Sequence, residues 1–134
     1  MKLEISNNRT IRELRHDFSS VYPFLKLEFY KAENKQPQIR IKEYLPHSAS
    51  LKSAGLKTTG HIDITNETTV GELEKILTEQ FGLMAQVSRN SGGVWLETTM
   101  TDKWSLHKQN EYGKEIIRHT KRDIAGYDQS LNDY

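Results

Sequence analysis

The sequence predicts an α+β fold made of two successive βαβ units, and three observations predict it. The stretch "LEISNNRTIREL" (residues 3–14) returns as "IDITNETTVGEL" (62–73), with identities at Ile5/Ile64, Asn7/Asn66, Thr10/Thr69, Glu13/Glu72 and Leu14/Leu73. Each copy passes from an alternating apolar run to a helix-start signature. Each helix pattern is then followed, past a chain breaker, by a second alternating run.

The elements follow in order. Leu3 and Ile5, like Ile62 and Ile64, read as the inward residues of half-buried strands. Asn7 or Asn66 supplies a turn residue that tolerates left-handed geometry. "TIRE" and "TVGE" are capping-box signatures, in which Thr10 or Thr69 accepts from a helix amide while Glu13 or Glu72 reaches back to the cap. The helices continue with core spacing through Ile11, Leu14 and Phe18, and through Val70, Leu73, Leu77 and Phe81. Pro23 and Gly82 stop them. "LKLEFYK" follows with Leu25, Leu27 and Phe29 inward, and "MAQVSR" with Ala85 and Val87 inward; these inward positions are out of phase by one residue between the copies, so the equivalence ends there.

The expected pseudo-repeats are thus 2–31 and 61–90, joined by a polar connector 32–60, and a ferredoxin-like split βαβ sheet with both helices on one face is the arrangement they suggest. The passage from a strand into "TVGEL" also resembles the strand-to-helix junction of ubiquitin-like β-grasp domains, which implies a β-grasp-like sheet as the alternative. A conjugated modifier of that kind would end in a free Gly-Gly, whereas this sequence closes with "SLNDY".

Within the connector, Ile39 and Ile41 alternate with Arg40 and Lys42 as on an edge strand, and "SASLKSAG" reads as a helical turn ended by Gly55. A connection this long is either functional or disordered, and its removal over 35–57 is expected to spare the fold. "NSGG" (90–93) marks a hairpin turn into a strand over 94–99, with Val94 and Leu96 toward the helices and Trp95 on the opposite face. A bare Trp calls for a cover, and the C-terminal helix expected over about 105–122 is the candidate, although Gly113 should weaken or divide it. The domain is expected to span 1–122 and residues 123–134 to form a frayed or disordered tail.

Composition narrows function by exclusion. With no cysteine, thiolate metal sites, iron–sulfur clusters, disulfides and cysteine nucleophiles are ruled out. Apolar residues are 35% of the chain, and the mean hydropathy of −0.74 is polar yet short of a disordered composition. No run approaches a membrane span, and "MKLEISNNRT" lacks the apolar core of a signal peptide, so a cytoplasmic, bacterial-type protein with no membrane contact is expected. The net charge of +1 conceals blocks: +4 over 31–57, −4 over 58–101 and +3 over 102–122.

No catalytic constellation emerges. The five histidines lack helical metal-ligand spacing, and His61 with Asp63, two apart on a strand, is the one local metal-like pair. "SRNSGG" could cradle an anion through its glycine amides, but it also reads as an ordinary hairpin turn. Neither a P-loop nor a dinucleotide fingerprint occurs, and no cofactor is expected. The expectation is a small non-catalytic module that binds a protein partner or itself. Its candidate contacts are Arg40, Lys42, Tyr44, Arg89, Trp95, Lys108 and Arg118. Nucleic-acid binding through basic segments 31–57 and 103–122, with Tyr30, Tyr44 and Trp95 to stack bases, is the alternative, and anionic-ligand binding or catalysis near turn 88–93 is a further one.

Overall fold

In the computed structural model the chain runs β1 (Lys2–Ile5), α1 (Ile11–Val21), β2 (Leu25–Lys31), β3 (Glu43–Tyr44), β4 (Gly60–Asp63), α2 (Val70–Phe81), β5 (Met84–Ser91), β6 (Val94–Glu97), a 3-10 turn (Thr99–Thr101) and α3 (Leu106–Asn132). Residues 1–31 and 42–132 are described, those from 120 onward by backbone alone, so Ile39, Arg40 and Ile41 lie outside the described residues.

Both helices start where the capping signature places them. Thr10 and Thr69 accept from the amides of Glu13 and Glu72. Only the first box is complete, however: Glu13 Oε1 also accepts from the Thr10 amide at 3.1 Å, while at α2 the Thr69 half alone is made. The Thr10 amide, then its hydroxyl, holds the Glu13 carboxyl below the usual range. Gly82, with φ +74°, ends α2 in the left-handed conformation that a side chain would strain.

The strands form two antiparallel sheets rather than one ferredoxin-like sheet. β1 pairs with β4 alone, while the larger sheet has the order β3-β2-β5-β6. Like pairs with like in both. Leu3 lies opposite Ile62, its counterpart in the repeated stretch, so a local dyad passes between them. In the larger sheet Leu25, Leu27 and Phe29 are buried with Leu83, Ala85 and Val87, a correspondence one residue shorter than that of the first strands. This one-residue adjustment restores the phase, and it sets Glu28 opposite its counterpart Gln86 at a second local dyad.

The correspondence goes further than the strands. At α1, Ile11 N–H donates to Ala49 O (2.9 Å), Arg12 N–H to His47 O (2.8 Å), and Leu51 N–H returns to Arg9 O (2.8 Å). At α2, Val70 N–H donates to Trp104 O (3.2 Å), Gly71 N–H to Asp102 O (2.8 Å), and Leu106 N–H returns to Thr68 O (2.8 Å). Each helix thus has its first amides, which no intrahelical carbonyl can reach, satisfied by a loop clasp. Each clasp also drives a leucine, Leu51 or Leu106, fully into the core.

The first clasp corrects the expectation for the connector. Residues 45–57 are built into the molecule, with Leu51 in the core and Leu45, Ala49, Ala54 and Leu56 packed against it. Removing 35–57 would therefore take core with it. The sequence hides this because apolar residues scattered through a polar stretch have no helix or strand periodicity to announce them.

α3 is continuous through Gly113, so of the two expected effects, weakening or division, division does not occur. A Cβ at Gly113 would meet Asn90 O at 3.0 Å, Phe24 Cβ at 3.0 Å and Arg89 Cγ at 3.1 Å. The glycine is where the helix comes down on the β2–β5 strand ends. Close approach, not helix termination, explains the residue.

Candidate functional site

The outer face of the curled four-stranded sheet carries an open cleft of about 360 Å³ lined by Lys26, Glu28, Tyr44, Leu45, His47, Ser88, Trp95 and Glu97. It is built by strand alternation. Leu25, Leu27 and Phe29 point to the core, which turns Lys26 and Glu28 of β2 outward; Val87 inward turns Gln86 and Ser88 outward; and Trp95 and Glu97 of β6 share that side.

Glu28 is a buried carboxylate and requires compensation. Three groups supply it: Arg15 Nη2 at 3.1 Å, His47 Nε2 at 3.3 Å and Lys26 Nζ at 3.7 Å. Arg15 Nη1 is also 2.6 Å from His47 Nδ1. On the other side Glu97 accepts from the Tyr44 hydroxyl and from Lys42, whose Nζ also lies 2.6 Å from Gln86 Oε1. β3 and β6 are the two edges of the sheet, so the curl is tight enough for their side chains to meet. The Tyr44 hydroxyl holds the Glu97 carboxyl below its ordinary value; burial and then Glu97 push the Tyr44 phenol well above its own.

The two dyad-related neighbourhoods carry opposite charge. Arg15 corresponds in the repeated stretch to Glu74, and His47, by its place in the clasp, to Asp102. Burial raises the Glu74 carboxyl to about 7, with Asp102 and Glu97 adding to the effect and Lys42 opposing it. Where one half surrounds Glu28 with cations, the other carries the carboxylates Glu74 and Asp102 at the equivalent positions.

Beside the cleft, β6 forms a sheet edge whose outer side has no strand partner among the described residues. Val94 is 60% exposed, Leu96 46%, and Met100 just beyond them 96%. The expectation that Val94 and Leu96 pack on the helices is corrected. α3 comes down on Phe24, Arg89 and Asn90 through Gly113 and leaves Val94 and Leu96 exposed.

Trp95 is not under α3 either. It remains 39% exposed on the cleft side, with the Lys26 ammonium 4.7 Å from its ring centroid. The tryptophan that α3 does order is Trp104, stacked edge-on against Tyr112 at 5.4 Å. Arg89 sits 4.7 Å from the Tyr112 ring and donates to Gln109 at 2.6 Å, and Lys108 lies 4.2 Å from the Trp104 ring.

The sequence-derived residues therefore separate into groups. Lys42, Tyr44 and Trp95 converge on the cleft; Arg89 and Lys108 join the Trp104 cluster where α3 docks; Arg118 stands apart, 3.3 Å from Glu115; and Arg40 lies outside the described residues. Sequence reasoning missed Arg15, Lys26, Glu28 and His47. The charged positions in "LKLEFYK" were a usable signal for Lys26 and Glu28, since they alternate with core residues, but nothing local marks His47.

The turn 90–93 is a closed hairpin: Asn90 Oδ1 already accepts from the Gly93 amide at 2.9 Å, and Ser88 faces the cleft beside His47 rather than His61 or His107. His61 and Asp63 approach to 3.4 Å on an exposed strand, and no group of three or more metal-type ligands occurs among the described residues. Among the described residues no helix is long and apolar enough to cross a membrane.

No protein-family model matches the chain, and neither curated proteins nor solved structures yield a significant match. Its geometry is accordingly the ground for any functional reading.

Proposed function

We propose that this protein is a non-catalytic binding module that takes an extended segment of a protein partner along the edge of β6. The observation that supports the reading is the character of that edge. A strand end with unpaired N–H and C=O groups is a template for another strand, and folds that avoid pairing place lysine, proline or a bulge there. β6 reads Val-Trp-Leu-Glu, with exposed Val94 and Leu96 on one face and Trp95 beside Glu97 on the other, and Met100 just beyond is exposed as well. Strand addition takes affinity from main-chain hydrogen bonds and specificity from alternate side chains, the two things this edge offers.

The test is capture of partners from native cells with the wild type and with Leu96→Lys, each with and without nuclease. A partner retained by the wild type after nuclease, identified, and lost with Leu96→Lys is the expected result. A partner that binds both forms equally places the contact elsewhere, and dependence on intact nucleic acid transfers the function to the basic segments. Self-pairing would appear as a dimer that grows with concentration in light scattering and is absent in the variant.

A further inference from the structure

We propose that the outer-face cleft is a binding site for a nucleotide-like anion, a planar heteroaromatic ring joined to a phosphate, with the ring on Trp95 and the phosphate on the cations around Glu28. The site is separate from the β6 edge and stands whether or not that edge binds a partner, because Val94 and Leu96 point away from it.

Size, charge and shape agree. About 360 Å³ falls within the usual range for small-molecule sites. One wall is a flat indole, 39% exposed and held by neighbours on its own sheet. Its present companion is the ammonium of Lys26, a long flexible side chain that a stacked ring would displace toward the incoming phosphate.

Across the cleft, Arg15, Lys26 and His47 converge on the single carboxylate of Glu28. Lys26 and His47 line the cleft with Glu28 and Glu97, while Arg15 and Lys42 reach the same two carboxylates from beyond the lining; together these groups leave one positive charge with the imidazole neutral and two with it protonated. The cluster as a whole favours an anion over a cation, and the Lys26 ammonium and His47 imidazole are the cleft groups that would donate to phosphate. The carboxylates of Glu28 and Glu97 and the hydroxyl of Ser88 offer acceptors for an exocyclic amino group or a sugar hydroxyl.

A free nucleotide and the end of a single strand share this chemistry. The experiment is a titration of the full chain with 5′-AMP, adenosine, inorganic phosphate and hexa-adenylate RNA, followed by NMR on the two tryptophan indole N–H signals. The expected result is that 5′-AMP moves the Trp95 signal and leaves that of Trp104, and that it binds more tightly than adenosine or phosphate alone. Trp95→Leu and Lys26→Met should each lower affinity about tenfold or more; the melting temperature of Trp95→Leu should be unchanged because the ring is 39% exposed, whereas Lys26→Met also removes one partner of buried Glu28 and its affinity is read at a temperature where its melt shows it folded. RNA binding tighter than 5′-AMP, through the same two residues, would make the strand the source. Absence of any Trp95 shift with 5′-AMP or RNA up to about 10 mM overturns the proposal. So does phosphate binding as tightly as 5′-AMP, since the ring would then contribute nothing.

Discussion

The two halves of the molecule solve the same backbone problem in the same way and then part company in charge. Each has a strand, a threonine-capped helix, a second strand and a clasp that satisfies the first helix amides while burying a leucine. On this shared frame the first half places Arg15 and His47 around Glu28, and the second carries Glu74 and Asp102 at the equivalent positions. The frame is held by interactions that any binding function must leave alone. The side chains that differ lie outside the apolar core.

The largest expected effects test the shared frame. Leu51→Ala and Leu106→Ala should each destabilise by about 2–5 kcal/mol, because both remove a fully buried side chain that pins a clasp. Urea unfolding would measure it. If Leu51→Ala proves silent while Leu106→Ala does not, the clasps are not equivalent.

The next effects test the divergence. Arg15→Met leaves the buried Glu28 with a weaker set of partners and should cost about 2–3 kcal/mol. The equivalent change in the other half has the opposite sign. Because the folded Glu74 carboxyl titrates at about 7, above its ordinary 4.5, the native state holds the proton longer than the unfolded chain does. Stability therefore falls as pH rises from about 4.5 to about 7. Glu74→Gln removes that fall and should gain about 1–2 kcal/mol above neutrality, after allowance for partial exposure, with no gain below pH about 4. Thermal melts across pH would decide it; a gain at every pH would mean that the effect is not titration.

The smallest effects concern the caps. Thr10→Ala and Thr69→Ala should each cost about 1 kcal/mol. Glu13→Ala should destabilise measurably more than Glu72→Ala, since only Glu13 closes its box.

What could be read from the sequence follows from what has a period or a local motif. The helices, their starts and the inward faces of β1, β2, β4 and β5 were legible because core residues recur at regular spacing and Thr-x-x-Glu marks a boundary. The sheet division was not, because alternation fixes which face is buried and says nothing about which strand is the neighbour. Gly113 illustrates the same limit. Propensity alone reads it as a helix fault, and only the approach of Phe24 and Asn90 shows it as a contact. Of the cleft, Lys42, Tyr44 and Trp95 were singled out as exposed basic or aromatic residues. Arg15, Lys26, Glu28 and His47 come from α1, β2 and the clasp, and their convergence is a product of tertiary structure.

The most direct test of the central claim is amide hydrogen exchange across the chain, alone and in complex with the partner recovered by the wild type. The account predicts slowed exchange at residues 94–97, where a new strand would pair, and little change at the opposite edge, β3. Protection confined to α3 or to the clasps, with 94–97 exchanging as in the free protein, would contradict it.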